Sequence, residues 1–302
     1  MKKKNKLIII LGQTATGKSD FAVLAAKKID GEIISADSRQ IYKDMNLGTG
    51  KITKKEMLSV PHHLLDVAKP SKVFSVSDFQ KLANKKIEEI ENKKKIPIIC
   101  GGTGFYIDSV INGNIFPEVK PNNKLRKELG KKRVEELFKI LKKLDKRRSE
   151  NIDKNNKVRL VRAIEIAKSL GKVPEINNSS KYQVLKIGLT MPQEILKERI
   201  KLRLISRIKK GMIKEIEDLH NKEKVSWKRL ESFGLEYRYV AYFLQEKLSR
   251  EEMIEQLNTA IWHFAKRQNT WFKRDNNTIW INPLKKSEKQ KAIKKIKKFA
   301  FK

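Results

Sequence analysis

Cysteine is nearly absent from this chain. The single thiol, Cys100, has no partner for an internal disulfide and cannot supply a cysteine zinc site. It closes the apolar run IPIIC, which reads as a buried strand position. No apolar run approaches the roughly 18–20 residues of a membrane helix, and the opening MKKKNK is not followed by the apolar stretch of a signal peptide. The expectation is a soluble cytoplasmic protein with no membrane partner. Acidic side chains are scarce as well. Asp and Glu total 35 against 69 Lys and Arg, a net charge of +34 that favours a polyanionic partner, nucleic acid first. A Lys, Ile and Asn bias runs through the whole chain, so part of that excess is compositional, but the positive field exists either way. No internal repeat is visible, and no N/T-K-x-D element of a GTPase is found.

What is present begins at residues 7–19, LIIILGQTATGKS. An apolar run gives way to Gly12, and Gly17-Lys18-Ser19 opens an amphipathic segment. This is G-x-x-x-x-G-K-S in its required setting of buried strand, glycine turn and helix N-terminus. Backbone N–H groups from Gly12, Gln13, Thr14, Ala15, Thr16 and Gly17, the helix dipole and the Lys18 ammonium converge on a phosphate or diphosphate. The Ser19 hydroxyl is placed to hold Mg²⁺. A phosphorylated ligand is expected.

Further along, EIIS (32–35) reads as a strand whose carboxyl end releases Asp37 beside the phosphate loop, where open α/β sheets bind ligands. A carboxylate there can hold metal, act as a general base, or merely cap a turn. PHHLLD (61–66) lacks metal-ligand spacing and reads as a structural loop. Ser75 or Ser77 caps a helix running to Lys94, and IPIICGG (96–102) is a buried strand followed by the glycines of GGTG. Residues 113–178 change character: little strand pattern, many cations, and Leu137, Ile140, Leu141 and Leu144 on one helical face. A long helix is expected from Pro192 through the segment ending EIEDL, with Arg199, Arg203 and Arg207 on one face. That stripe is either solvated surface or a neutralising wall for a leaving diphosphate. Lys266, Arg267, Trp271 and Arg274 mix cations with an aromatic, suiting RNA contact. His220 and His263 receive no role. The fold class expected is α/β, a P-loop NTPase-like parallel sheet flanked by helices. Residues 1–112 and 179–302 form its core with C-terminal helices, and 113–178 form an inserted helical domain.

The segments GQTATGKS, SADSRQIY, PHHLLDV, FSVSDF, PIICGGTGFYI, VRLVRAIEI, RLISRIKKGMIKEIEDL and AKRQNTWFKR run in order from residue 7 to about 274. Together they resemble the tRNA dimethylallyltransferase family, also called tRNA isopentenyltransferases. The resemblance implies transfer of a dimethylallyl group from dimethylallyl diphosphate to N6 of the adenosine next to the tRNA anticodon; oligomeric state is open, with a monomer as the default expectation. It implies Asp37 as general base, Lys18 and Ser19 as the diphosphate and Mg²⁺ site, and Arg203 as a diphosphate contact. Asp37, Ser38, Arg39, Gln40, Thr103, Arg126, Val158, Arg159, Leu160, Val161, Arg162, Gly234, Tyr237 and Arg238 fall where the family touches tRNA. Three departures stand out: Ser19 for the usual threonine, Gln13 where proline is common, and FGLEYRY (233–239) for a shorter G-Y-[KR].

Three other readings differ in test. A small-molecule or nucleotide kinase would label an acceptor from ATP. An adenylate isopentenyltransferase would prenylate free nucleotide, but its members lack much of the basic insertion and the AKRQ-T-W segment. A non-catalytic RNA-binding protein would have no need of Lys18, Ser19 and Asp37.

Overall fold

The computed structural model describes residues 5–113, 116–175 and 181–301. Two compact units divide the chain: Met1–Asn112 with Ser180–Lys302, and Gly113–Ser179 between them. The boundary loops expected at 112–114 and 174–181 lie partly outside the described residues.

The first unit is built on a six-stranded parallel sheet in the order β3-β2-β4-β1-β5-β6. Its strands are β1 (Asn5–Gly12), β2 (Gly31–Ser35), β3 (His62–His63), β4 (Ile96–Gly101), β5 (Tyr182–Leu189) and β6 (Thr278–Ile281). Alternation along β1 explains why it sits in the middle. Leu7, Ile9 and Leu11 join one core and Ile8 and Ile10 the other, all at most 3% exposed. A strand apolar on both faces has to be covered on both, which is the habit of parallel sheets. Each such side chain contributes roughly 1.5–3 kcal/mol relative to an exposed one.

Helices α1 (Lys18–Ile29) and α14 (Lys286–Phe301) cover the face of Ile8 and Ile10. The other face receives α3 (Val76–Asn92), α4 (Gly104–Ile111) and four helices from the C-terminal part of the unit. These are α9 (Gln193–Lys209), α10 (Met212–Asn221), α12 (Leu235–Leu244) and α13 (Arg250–Phe272). Two short helices, α2 (Lys54–Met57) and α11 (Trp227–Phe233), complete it.

Local chemistry sets the ends. Ser75, not Ser77, caps α3: its hydroxyl accepts from Asp78 N at 3.2 Å while the Asp78 carboxylate accepts from Ser75 N at 2.8 Å. That helix stops at Asn92, short of the expected Lys94, whose φ of +59° is not helical. The single long helix expected after Pro192 is two. Gly211, at φ +100°, ends α9 and serves as the N-cap of α10. PHH is no irregular loop but contributes β3, registered against Ile33 and Ile34.

The second unit is helical: α5 (Asn123–Gly130), α6 (Val134–Leu144), α7 (Lys146–Glu150) and α8 (Lys157–Leu170). Leu137 and Leu141 are fully buried against Leu160 and Ile164, with Ile140 and Leu144 packed at the margin.

Candidate active site

Three parallel strands end side by side, and the loops after β1, β2 and β4 make the site. The β1 loop turns at Gly12, where φ is +142° and an added Cβ would lie 2.4 Å from Leu189 O. It turns again at Gly17, φ +84°, the N-cap of α1. Ala15 is also left-handed, at φ +62°. Within the loop, Thr16 Oγ1 donates to Gln13 O at 2.8 Å and Lys18 Nζ donates to the same oxygen at 2.6 Å. Burial pulls the Lys18 pKa down to about 8, and the Arg203 charge works in the same direction.

A residue given no role in the sequence reading holds this loop in place. Gln268, on α13 and 6% exposed, accepts from Thr14 N at 2.8 Å and donates through Nε2 to Gly102 O at 2.8 Å. A Cβ on Gly102 would meet Gln268 Nε2 at 2.3 Å, so glycine there leaves room for this tie. Gln13 adds a second tie, Nε2 to Ala265 O at 3.2 Å. The signal was present in the sequence: Ile261, Ala265, Gln268 and Phe272 share the buried stripe of α13, and one of them is an amide.

Asp37 leaves the end of β2. Its Oδ1 accepts from Arg39 N at 2.9 Å and Gln40 N at 3.3 Å, while Oδ2 has no protein partner among the described residues. Ser38 N donates to Thr103 Oγ1 at 3.1 Å, which ties this turn to the glycine loop after β4. Lys18, Ser19, Asp37, Gln40, Arg199 and Arg203 all line one cavity of about 260 Å³. His62 also lines it, with Nδ1 donating to Val60 O at 2.8 Å and burial lowering its pKa. Cys100, on the same wall, is inert: burial raises its thiol to about 12. Among the described residues, no three His, Cys, Asp or Glu side chains cluster to hold a metal ion.

Two arginines of the α9 stripe, Arg199 and the solvent-accessible Arg203, line this cavity. Arg199 Nε donates to Ala15 O at 2.9 Å. Arg203 has no hydrogen-bond acceptor among the described residues. Crowding by protein atoms, with the Arg207 and Arg199 charges beside it, lowers its pKa to about 10. Arg207 pairs with Glu236 at 3.1 Å. Opposite the stripe, Glu215 gathers Asn46 N, Leu47 N, Gly48 N and Tyr237 OH at 2.6–3.0 Å, which fixes the loop carrying Thr49 and Gly50 into the cavity wall.

The residues expected at tRNA fall into separate environments. Ser38, Arg39, Gln40 and Thr103 are partly buried around Asp37, with Arg39 Nε donating to Phe233 O at 2.8 Å. Gly234 is partly buried and the Arg238 side chain is exposed. Tyr237 is 2% exposed and donates its hydroxyl to Glu215, so its side chain packs in the core. In the helical unit, the Leu160 side chain is buried, at 0% exposure. Val158 is 79% exposed, Arg159 is exposed, and Val161 is intermediate. Arg126 and Arg162 both pair with Glu165, itself 2% exposed. Lys266, Arg267, Trp271 and Arg274 line one open groove, where Arg274 stacks over Trp271 at 5.3 Å and Trp271 Nε1 donates to Asp108 at 2.9 Å.

A glycine-cornered loop, a helix N-terminus and unpaired cations at the carboxyl end of a parallel sheet define the class. This is an α/β protein of the P-loop type, built around a phosphate-binding cradle. The IPP transferase family model matches residues 40–275. The chain is 49% identical over 286 residues to tRNA dimethylallyltransferase 2 of Treponema denticola, covering 92% of this chain and 95% of that one. It is 37% identical to the tRNA dimethylallyltransferase of Alkaliphilus oremlandii, over 92% of each. Among solved structures, the tRNA isopentenylpyrophosphate transferase of Bacillus halodurans superposes with a TM-score of 0.73 at 35% identity, covering 98% and 95% of the two chains. A eukaryotic dimethylallyltransferase captured acting on tRNA superposes at 0.83 and 27% identity, covering 96% and 78%. The chain belongs to the IPP transferase family and carries its enzyme activity, tRNA dimethylallyl transfer. Among the described residues no helix is long and apolar enough to cross a membrane.

Proposed function

We propose that the cavity transfers the dimethylallyl group of dimethylallyl diphosphate to N6 of an adenosine next to the tRNA anticodon. The observation that carries this is the gathering in one cavity of Lys18, the loop N–H groups, the Asp37 carboxylate and Arg203, which is unpaired among the described residues. The exocyclic amine of adenine is a weak nucleophile, because its lone pair is delocalised into the ring. The C–O bond of the allyl diphosphate therefore stretches as N6 approaches, and negative charge grows on the departing diphosphate. Lys18 and Arg203 stabilise that charge, each such preorganised donor being worth roughly 3–4 kcal/mol in other enzymes. The N–C bond forms, the C–O bond breaks, and the amine proton passes to Asp37. Two backbone N–H groups hold Oδ1 of Asp37, which orients the carboxylate and leaves Oδ2 for the proton.

The donor set fits Mg²⁺. The Ser19 hydroxyl is exposed at the first turn of α1, and a hard cation of this kind takes a few protein oxygens together with substrate phosphates and water. Ser19 would hold the ion, which when bound would add positive charge against the diphosphate.

The target adenine has to leave its stack to reach a cavity of this size. Ser38, Arg39, Gln40 and Thr103 surround Asp37 and are assigned to the extruded nucleotide. The helical unit, with Arg126, Arg159 and Arg162 on α5 and α8, is assigned to the tRNA backbone. Asp37→Ala and wild type are compared after incubation with unmodified tRNA, Mg²⁺ and dimethylallyl diphosphate. Mass spectrometry of the digested nucleosides should show N6-dimethylallyladenosine for wild type only. Its absence with wild type, or a labelled product from ATP instead, sinks the assignment.

A further inference from the structure

The segment FGLEYRY departs from the G-Y-[KR] pattern and places Glu236 in the first turn of α12. Its side chain is 12% exposed, and Oε1 accepts from Arg207 Nη1 at 3.1 Å. Arg207 in turn lies against Gly50. A Cβ on Gly50 would fall 1.7 Å from Arg207 Nη2 and 3.0 Å from Arg203 Nη2. Two guanidiniums therefore flank one glycine, and among the described residues only Arg207 is paired with a carboxylate. Arg203 lines the cavity beside Lys18 and Arg199, whereas Arg207 and Glu236 stand behind it.

A buried cation without a counter-ion projects its charge over several ångströms, and an anion nearby responds to it. Adding attraction for diphosphate in the ground state as well as in the transition state does not speed the chemical step. It retains the product. We propose that Glu236 is a positioning residue that neutralises Arg207, confines the cations acting on diphosphate to Lys18, Arg199 and Arg203, and so sets how easily the diphosphate product leaves. This rests on reading the cavity as the diphosphate site.

The test is product inhibition of the full-length enzyme by inorganic diphosphate. Glu236→Gln keeps the shape and removes the charge, so the inhibition constant falls by about tenfold. Arg207→Met removes the cation and leaves the carboxylate near Arg203, so the constant rises by about tenfold. The double variant Arg207→Met/Glu236→Gln restores charge balance and returns it to within about twofold of wild type, whereas independent packing defects would add. Glu236→Asp, which keeps the charge, stays on the wild-type side. Should Glu236→Gln fail to fold in a thermal melt, Arg207→Met and the double variant still carry the test. Folded single variants with unchanged constants, or both shifted the same way, overturn the role of Glu236. Arg203→Ala and Lys18→Ala probe the reading beneath. If both also leave diphosphate inhibition unchanged, the diphosphate site itself is wrong; if they weaken it, only the Glu236 role is lost.

Discussion

The two units use the same kinds of ion in opposite ways. In the helical unit, Glu165 is buried and saturated: it accepts from Asn122 N at 2.6 Å and from the guanidiniums of Arg126 and Arg162. Those donors outweigh the cost of its burial and take its pKa down to about 2. In the sheet unit, three cavity ions are held by backbone groups, and among the described residues Arg203 has no acceptor at all. Lys18 donates to Gln13 O, Arg199 donates to Ala15 O, and Asp37 accepts from Arg39 N and Gln40 N. Backbone dipoles orient an ion without cancelling its charge. A neutralised ion pair holds a fold, whereas an oriented and uncancelled one remains available for a substrate.

The strongest test of that contrast is at Asp37. Asp37→Ala should lower transfer by about 10²–10⁴, the usual worth of a positioned base, with tRNA binding by filter or gel shift unchanged. Full activity in this variant would place the uncancelled carboxylate outside the chemistry. Next comes the lysine. Because burial lowers its pKa, Lys18 is cationic below about 8 and neutral above it. The kcat/KM for dimethylallyl diphosphate should therefore fall as pH rises through about 8, by about tenfold per unit beyond it. In Lys18→Arg that descending limb should vanish, since guanidinium stays charged. A wild-type profile flat through and beyond pH 8 removes Lys18 from anion binding.

At Glu165 the effect is on stability, and its sign follows from the lowered pKa. The ionised carboxylate stabilises its unit fully above the ordinary carboxylate range, and that contribution disappears as pH falls through about 2. Glu165→Gln should cost the unit about 2–3 kcal/mol at neutral pH, less than a fully buried pair because both arginines are about one-third exposed. Hydrogen exchange in α5 and α8 reads this directly. Protection equal to wild type would mean that Glu165 does not organise the unit.

How far the sequence foretold these arrangements depended on range. Features set by neighbours in the chain were readable: the phosphate loop from Gly12 to Ser19, the two-faced alternation of β1, the Ser75 cap with Asp78 three residues on. Gly211 was readable too, yet apolar periodicity on either side of it made one helix out of two. The face of the arginine stripe was left undecided because spacing fixes which residues share a face, not what that face meets. Tertiary pairing decided Gln268, Glu215 and Glu236, each of which acts on backbone or side chains far away in sequence. Tyr237 shows how a position matched by pattern also carries a tertiary role. Its position matched a family pattern for RNA contact, but Glu215 and the surrounding apolar cluster claim its ring and hydroxyl.

The smallest effect expected is at Arg159, and it separates display from pairing most sharply. The Arg159 N–H is taken by Asn156 Oδ1 at 3.1 Å, while the side chain is exposed and, among the described residues, pairs with no carboxylate. Such a cation contributes little to folding. Against a phosphate backbone it releases a counter-ion, so it should register in the salt dependence of tRNA binding. Arg159→Ala is expected to melt within about 0.5 kcal/mol of wild type and to reduce the slope of log K against log salt by about one. Arg162→Ala at the same salt concentrations should lose stability as well, because Glu165 then keeps one guanidinium instead of two. A slope unaltered by Arg159→Ala would mean that α8 presents its exposed face to something other than the tRNA backbone.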